Sequence, residues 1–311
     1  SAHPYSGDPM KAPLSRRGSA AALALAAGAF AVAGPAPAAL ADVTPISPAL
    51  TFDDCPTAAQ LPAGADPIFW QCNVVVIVGG RLQLGRIDQK ITSPIRMTFA
   101  NGFDPVTLEE QFVFTPLKGD PVRVDGGIFG IPGTDFLPLL QVSAQPQFAV
   151  DPVSAPPDAP NVAYRMKLKI KTINQLLGDT CYIGSAESPV TLNLTFLTTD
   201  PPAPNKPISG SPIEAHPDDP NVFASRLVDN AFSVPKSTGC GPWGLFNPVA
   251  DLRAGLPAKA GTNTAIFDTQ TKWRGYADPT LTGTLKSLKN LTPQQARVAL
   301  KAKAKAAQKA R

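Results

Sequence analysis

The sequence predicts an all-β fold: an antiparallel β-sandwich, divisible into two related sandwich units, with a C-terminal basic tail that is helical or disordered. Three observations lead there. Tyr164, Met166, Leu168 and Ile170 alternate with Arg165, Lys167, Lys169 and Lys171, as in a strand with one buried and one wet face. Val190, Leu192, Leu194 and Phe196 alternate with threonine and asparagine in the same way. The 35 prolines are spread along the chain, which leaves little room for long helices.

Residues 1–41 read as a signal peptide. Lys11, Arg16 and Arg17 form a cationic start, Ala20 to Gly34 is an apolar run, and Ala39-Leu40-Ala41 supplies a small-residue cleavage site. The run is too short and alanine-rich for a spanning helix, which needs about 20 strongly apolar residues. Arg16-Arg17 also fits a twin-arginine signal, although Gly18-Ser19 follows where that signal carries apolar residues. Cleavage would start the mature chain at Asp42, and no later segment is apolar and long enough to span a bilayer as a helix.

Residues 42–160 form the first expected unit. Asn73 to Val78 is a β-branched run suited to a buried strand. Ile91 to Phe99 alternates and leads into Asn101-Gly102, a hairpin-turn signal, with Thr107 to Thr115 as the return strand. The proline-rich segment Asp151 to Pro160 separates this unit from the second, residues 161–285, in which Asp200 to Pro220 is expected to be a long surface loop. A repeat relates the units: Ser93-Pro94-Ile95, Met97 and Phe99 parallel Ser188-Pro189-Val190, Leu192 and Leu194. Leu84-Gly85 parallels Leu177-Gly178, and Val124-Asp125 parallels Val228-Asp229. Chance similarity in a chain rich in Pro, Val and Leu is the competing explanation.

Cys55, Cys72, Cys181 and Cys240 all follow the cleavage site. An even count in an exported chain points to two disulfides, and none sits in a Cys-x-x-Cys pair of the kind that binds zinc. Of three connectivities, Cys55–Cys72 with Cys181–Cys240 closes each loop within one region, contributing about 3 and about 4 kcal/mol by loop entropy.

Charge is unevenly spread. Residues 42–285 carry 17 Lys+Arg against 23 Asp+Glu, a net of −6, whereas residues 286–311 carry eight basic side chains and no acid. These are Lys286, Lys289, Arg297, Lys301, Lys303, Lys305, Lys309 and Arg311. Thr292, Pro293 and Gln295 make a helix start, but the lysines wrap around the helix and leave no apolar stripe for a membrane interface. Two readings stand: a solvated, partly helical tail, or one that adheres to anionic cell-envelope polymers. Nucleic acid is disfavoured, because the body is acidic and no aromatics interleave with the basic residues.

Candidate chemistry is sparse, and no catalytic residue, metal or cofactor is assigned. His216 is the only histidine after residue 41, and no Gly-x-Ser-x-Gly elbow accompanies it, so a hydrolase triad is disfavoured. Glu214, His216, Asp218 and Asp219 offer ligands to a metal, but in what reads as a hydrated loop without supporting groups. Asp53-Asp54 and Glu109-Glu110 put neighbouring carboxylates on opposite strand faces. Val78-Gly79-Gly80-Arg81 and Asp125-Gly126-Gly127 lack the residues of a phosphate loop and read as turns or bulges. Trp70 and Trp243, close to cysteines, are expected in the core. Trp273, with Tyr276 beside it, is the candidate for an exposed binding aromatic.

The stretch Gly178-Asp179-Thr180-Cys181-Tyr182-Ile183-Gly184-Ser185, followed by Ser188-Pro189-Val190 and Leu192-Asn193-Leu194-Thr195, resembles secreted β-rich proteins of high-GC Gram-positive bacteria. So do Pro207-Ile208-Ser209-Gly210, Leu227-Val228-Asp229-Asn230, Gly239-Cys240-Gly241 and Gly255-Leu256-Pro257. The resemblance covers residues 178–263, implies an exported, disulfide-bonded protein of the envelope or medium, and carries no assigned activity. The expected function is thus a secreted or cell-wall-associated sandwich with a structural or binding role. The alternatives are a carbohydrate-binding module using exposed aromatics, or an extracellular hydrolase with a dispersed carboxylate pair.

Overall fold

The computed structural model describes residues 44–104 and 106–278; the expected signal peptide and basic tail lie outside them. Fourteen strands are described. The first half holds β1 (Trp70–Leu84), β2 (Ile87–Lys90), β3 (Ile95–Phe103), β4 (Glu110–Phe114), β5 (Lys118–Gly119), β6 (Val122–Val124) and β7 (Val142–Ser154). The second holds β8 (Tyr164–Ile173), β9 (Tyr182–Ile183), β10 (Val190–Leu194), β11 (Ser211–His216), β12 (Asp219–Asp229), β13 (Ser237–Thr238) and β14 (Thr264–Gly275), with one helix, α1 (Asn247–Ala254), before β14.

The strands make an antiparallel sandwich. The larger sheet runs β11-β12-β14-β1-β3-β4, with β2 on β1 and β5 on β3; the smaller runs β13-β9-β8-β7-β6, with β10 on β8. Between them lie Val75, Ile77, Met97, Phe99, Leu227 and Phe267 from the larger sheet, against Met166, Leu168, Ile170, Val190, Leu192 and Leu194 from the smaller. The alternation read in residues 164–171 and 190–194 is therefore the inner face of β8 and β10, with the lysines of β8 outward.

Both sheets take strands from either side of residue 160. Strand β14 lies between β1 and β12, and the expected boundary falls between the paired neighbours β7 and β8. The Ser-Pro segments of the expected repeat lead into β3 in the larger sheet and β10 in the smaller, so the two halves share the sheets rather than each forming its own.

The outer face of the larger sheet is covered by residues 44–69. Ala49, Leu50, Phe52 and Leu61 pack on Val74, Val76, Ala100 and the buried Trp70 and Tyr276, and the Cys55–Cys72 disulfide fastens the segment to β1. Cys181–Cys240 is the second disulfide, inside a separate cluster with Val124, Val142 and Leu177 at the opposite end of the sandwich.

Three local expectations are corrected. Asn101-Gly102 is not the hairpin turn: both belong to β3, and the chain reverses at residues 104–109, where Asp104 Oδ1 accepts from the Val106 and Thr107 amides. Gly102 is required there because a Cβ would sit 2.4 Å from the Trp70 ring. The segment 200–220 is not one long loop, since its second half forms β11 and enters β12. Trp243, expected in the core, is fully exposed (103%), with φ at +52°. The glycine pair at 79–80 does make a bulge: pairing with β14 slips between Ile77 and Gly79, and a Cβ on Gly80 would sit 2.0 Å from the Ile266 carbonyl oxygen.

Candidate aromatic and amide binding face

Strands β12, β14, β1, β3 and β4 lie side by side, and alternation decides which of their side chains share a face. On β1, Trp70, Cys72 and Val74 point to the outer layer, so Gln71, Asn73 and Val75 point inward. Asn73 is opposite Trp273 of β14 on one side and Phe99 of β3 on the other, while Gln71 is opposite Gly275 and Asn101. Further in, this face is sealed by the smaller sheet. At the end where Trp273 stands it opens to solvent, and the side chains change from aliphatic to polar and aromatic.

A row of planar polar groups crosses three strands at this end. Asn73 Nδ2 donates to Asn101 Oδ1 at 2.6 Å, and Asn101 Nδ2 donates to Glu110 Oε1 at 2.7 Å. Gln71 Nε2 lies 3.5 Å from Asn73 Oδ1. Asn73 and Asn101 each spend one donor and one acceptor within the row and Gln71 one donor, which leaves the Gln71 carbonyl oxygen and a second Asn101 N–H, both on part-exposed residues, for a ligand. Beside the row, the Trp273 indole stacks on Phe223 of β12, with ring centroids 4.4 Å apart and planes 19° apart. Phe223 holds one side of the indole, and Trp273 remains 45% exposed. Gly275, two residues on, adds no side chain, and a Cβ there would find open space apart from the Trp70 carbonyl oxygen at 3.9 Å. From the smaller sheet Tyr164 borders the face. Burial pushes its phenol up, and the charge of Glu110 pushes the same way.

Tyr276, grouped with Trp273 by sequence, belongs elsewhere. It is buried (2% exposed), and its hydroxyl donates to the Pro56 carbonyl at 2.7 Å, with burial pushing the phenol well up. As a core residue beside the Cys55–Cys72 clip it presents no face to a ligand. Gln71 and Phe223 were not singled out by sequence, and Asn73, Asn101 and Glu110 were read only as a strand start, a turn and half of an acidic pair, not as one site. The one available signal was Gln71 and Asn73, amides at alternate positions leading into an apolar strand.

His216 is not in a hydrated loop. It ends β11 and is 3% exposed; Nε2 donates to the Thr44 carbonyl at 2.9 Å and Nδ1 accepts from the Asp218 amide at 3.2 Å, so the protein uses both ring nitrogens. Asp219 accepts from the Asn221 amide and lies 3.4 Å from Lys272 Nζ. No three His, Cys, Asp or Glu side chains among the described residues stand close enough to hold a metal ion. Of the Asp53-Asp54 pair, Asp54 is largely buried between Arg96 and Lys118. Burial opposes its charge, but the two cations prevail and hold the carboxyl below the usual range. The basic residues 286–311 lie outside the described residues. No family model, no curated protein and no solved structure matches the chain.

Proposed function

We propose that the protein acts outside the cytoplasm as a non-catalytic binding protein, and that its ligand is a glycan held on the Trp273 face. The observation that carries this reading is the Trp273–Phe223 stack beside the Asn73–Asn101–Glu110 row. A pyranose ring has one face rich in C–H groups, which suits an aromatic plane, and a rim of hydroxyls that both donate and accept. A hydrogen-bonded row of amides and a carboxylate matches that rim. Glu110 would repel an anionic sugar, so the ligand class is a neutral hexose or N-acetylhexosamine polymer. Two disulfides support an oxidising setting, as does the apolar run at residues 20–34; no described helix is long and apolar enough to cross a membrane. The cationic segment 286–311 adds a second, electrostatic attachment to anionic polymers of the cell envelope.

The test is an array of neutral oligosaccharides probed with wild type, Trp273→Ala and Trp243→Ala. Trp273→Ala should weaken glycan binding about tenfold, the scale of one lost aromatic contact. Trp243→Ala, which removes a fully exposed tryptophan outside the face, should bind like wild type. Equal binding by wild type and Trp273→Ala would reject this face.

A further inference from the structure

We propose a second site, for the hydrocarbon chain of an anionic amphiphile, between the two sheets at the end away from Trp273. A cavity of about 70 Å³ lies there, walled by Ile77 and Leu84 of β1, Ile95 of β3, Val124 of β6, and Leu168 and Ile170 of β8. Its wall is apolar, with Met166 and Phe267 beside the aliphatic side chains, and offers no polar group to an ordered water. A cavity of that kind stays dry and accepts only an apolar guest. Its volume is about half that of the apolar void known to hold benzene, so as it stands it receives a chain end of about two or three carbons.

The rim gives the guest its polarity. Gln89 and Lys90 of β2 border the cavity through the apolar parts of their side chains, and Lys90 is exposed, with no ion-pair partner for its ammonium among the described residues. By contrast, Arg81 is paired with Asp88 and Lys118 with Asp54. An apolar interior bordered by the stem of a lysine whose ammonium is in solvent matches a fatty carboxylate, chain inward and carboxylate on Lys90. The border is also lightly tied. β2, β5 and β6 are four, two and three residues long, and β5 holds β3 by only two residue pairs. Parting these short strands would admit a longer chain without disturbing β1 or β8.

Decanoate and the uncharged 1-decanol, titrated into the full chain by calorimetry with methyl NMR, test this. Both should bind at one molecule per chain and shift the methyl signals of Leu168 and Ile170. Lys90→Gln should weaken decanoate about fivefold, as for one exposed ion pair, and leave decanol unchanged. Ala144→Leu, which fills the cavity, should abolish both; circular dichroism establishes that it is folded, and the wild-type methyl shifts locate the ligand whether or not it is. A wild type that binds neither probe, or Ala144→Leu binding both as wild type does, would leave an empty packing void only. Decanoate binding undiminished in Lys90→Gln would overturn the carboxylate assignment.

Discussion

Asp54 is the acid-sensitive residue of the fold. Arg96 reaches it while also donating to the Ala49 carbonyl and the Thr51 hydroxyl, so one guanidinium ties the 44–69 segment to β3. The Asp54 carboxyl sits below its unfolded value because Lys118 and Arg96 outweigh the effect of burial. Its stabilisation is therefore complete above the unfolded value, about pH 4, and is lost as pH falls through the lower folded one. Asp54→Asn should cost about 1–3 kcal/mol at pH 7 in urea unfolding, and its stability should fall less steeply than that of wild type from about pH 4 downward. Parallel acid limbs for the two proteins would remove Asp54 from that role. Tryptophan shows how far single residues can be read in sequence. Trp70 beside Cys72 is buried and Trp273 is half exposed, as local chemistry suggested, yet Trp243 is exposed although it lies three residues from Cys240. Proximity in sequence to a disulfide says nothing about which side of the chain a ring takes. Here Gly241 and Gly244, both at positive φ, turn the backbone so that the indole points outward.

Strands that bury one face announced themselves by period-two alternation; β8 and β10 were legible for that reason, since apolar and polar side chains alternate over residues 164–171 and 190–194. The turn at Asn101-Gly102 misled because its glycine serves the Trp70 ring, a contact made from another strand. The binding face was illegible for a related reason: Asn73, Asn101 and Glu110 meet only through the register of three strands, and sequence does not give register across long connections. The element whose stability is most separable is the 44–69 covering segment. Its clip closes a short loop, Cys55 and Cys72 being 17 positions apart in sequence. A Cys55→Ala/Cys72→Ala protein should lose about 3 kcal/mol in guanidinium unfolding. A loss below about 0.5 kcal/mol would mean that packing of Leu50, Phe52 and Leu61 holds the segment unaided.

Across the whole molecule the two proposed contacts lie at opposite ends: the aromatic and amide face where β14 finishes, the apolar cavity where β1 and β2 turn. The basic segment 286–311 follows β14 in the sequence. Bound to isolated cell walls, the full chain should be released as salt rises, and a chain lacking residues 286–311 should be retained poorly even at low salt. Equal retention of both would exclude adhesion through that segment. The position of β14 carries one more consequence. The last described strand fills the middle of the larger sheet, some two hundred residues after its partner β1. A chain still emerging from a ribosome or a translocation pore has two unpaired edges, on β1 and on β12, until residue 275 arrives. Such a sheet closes late and all at once. A protein built this way stays threadable until β14 is delivered, then locks.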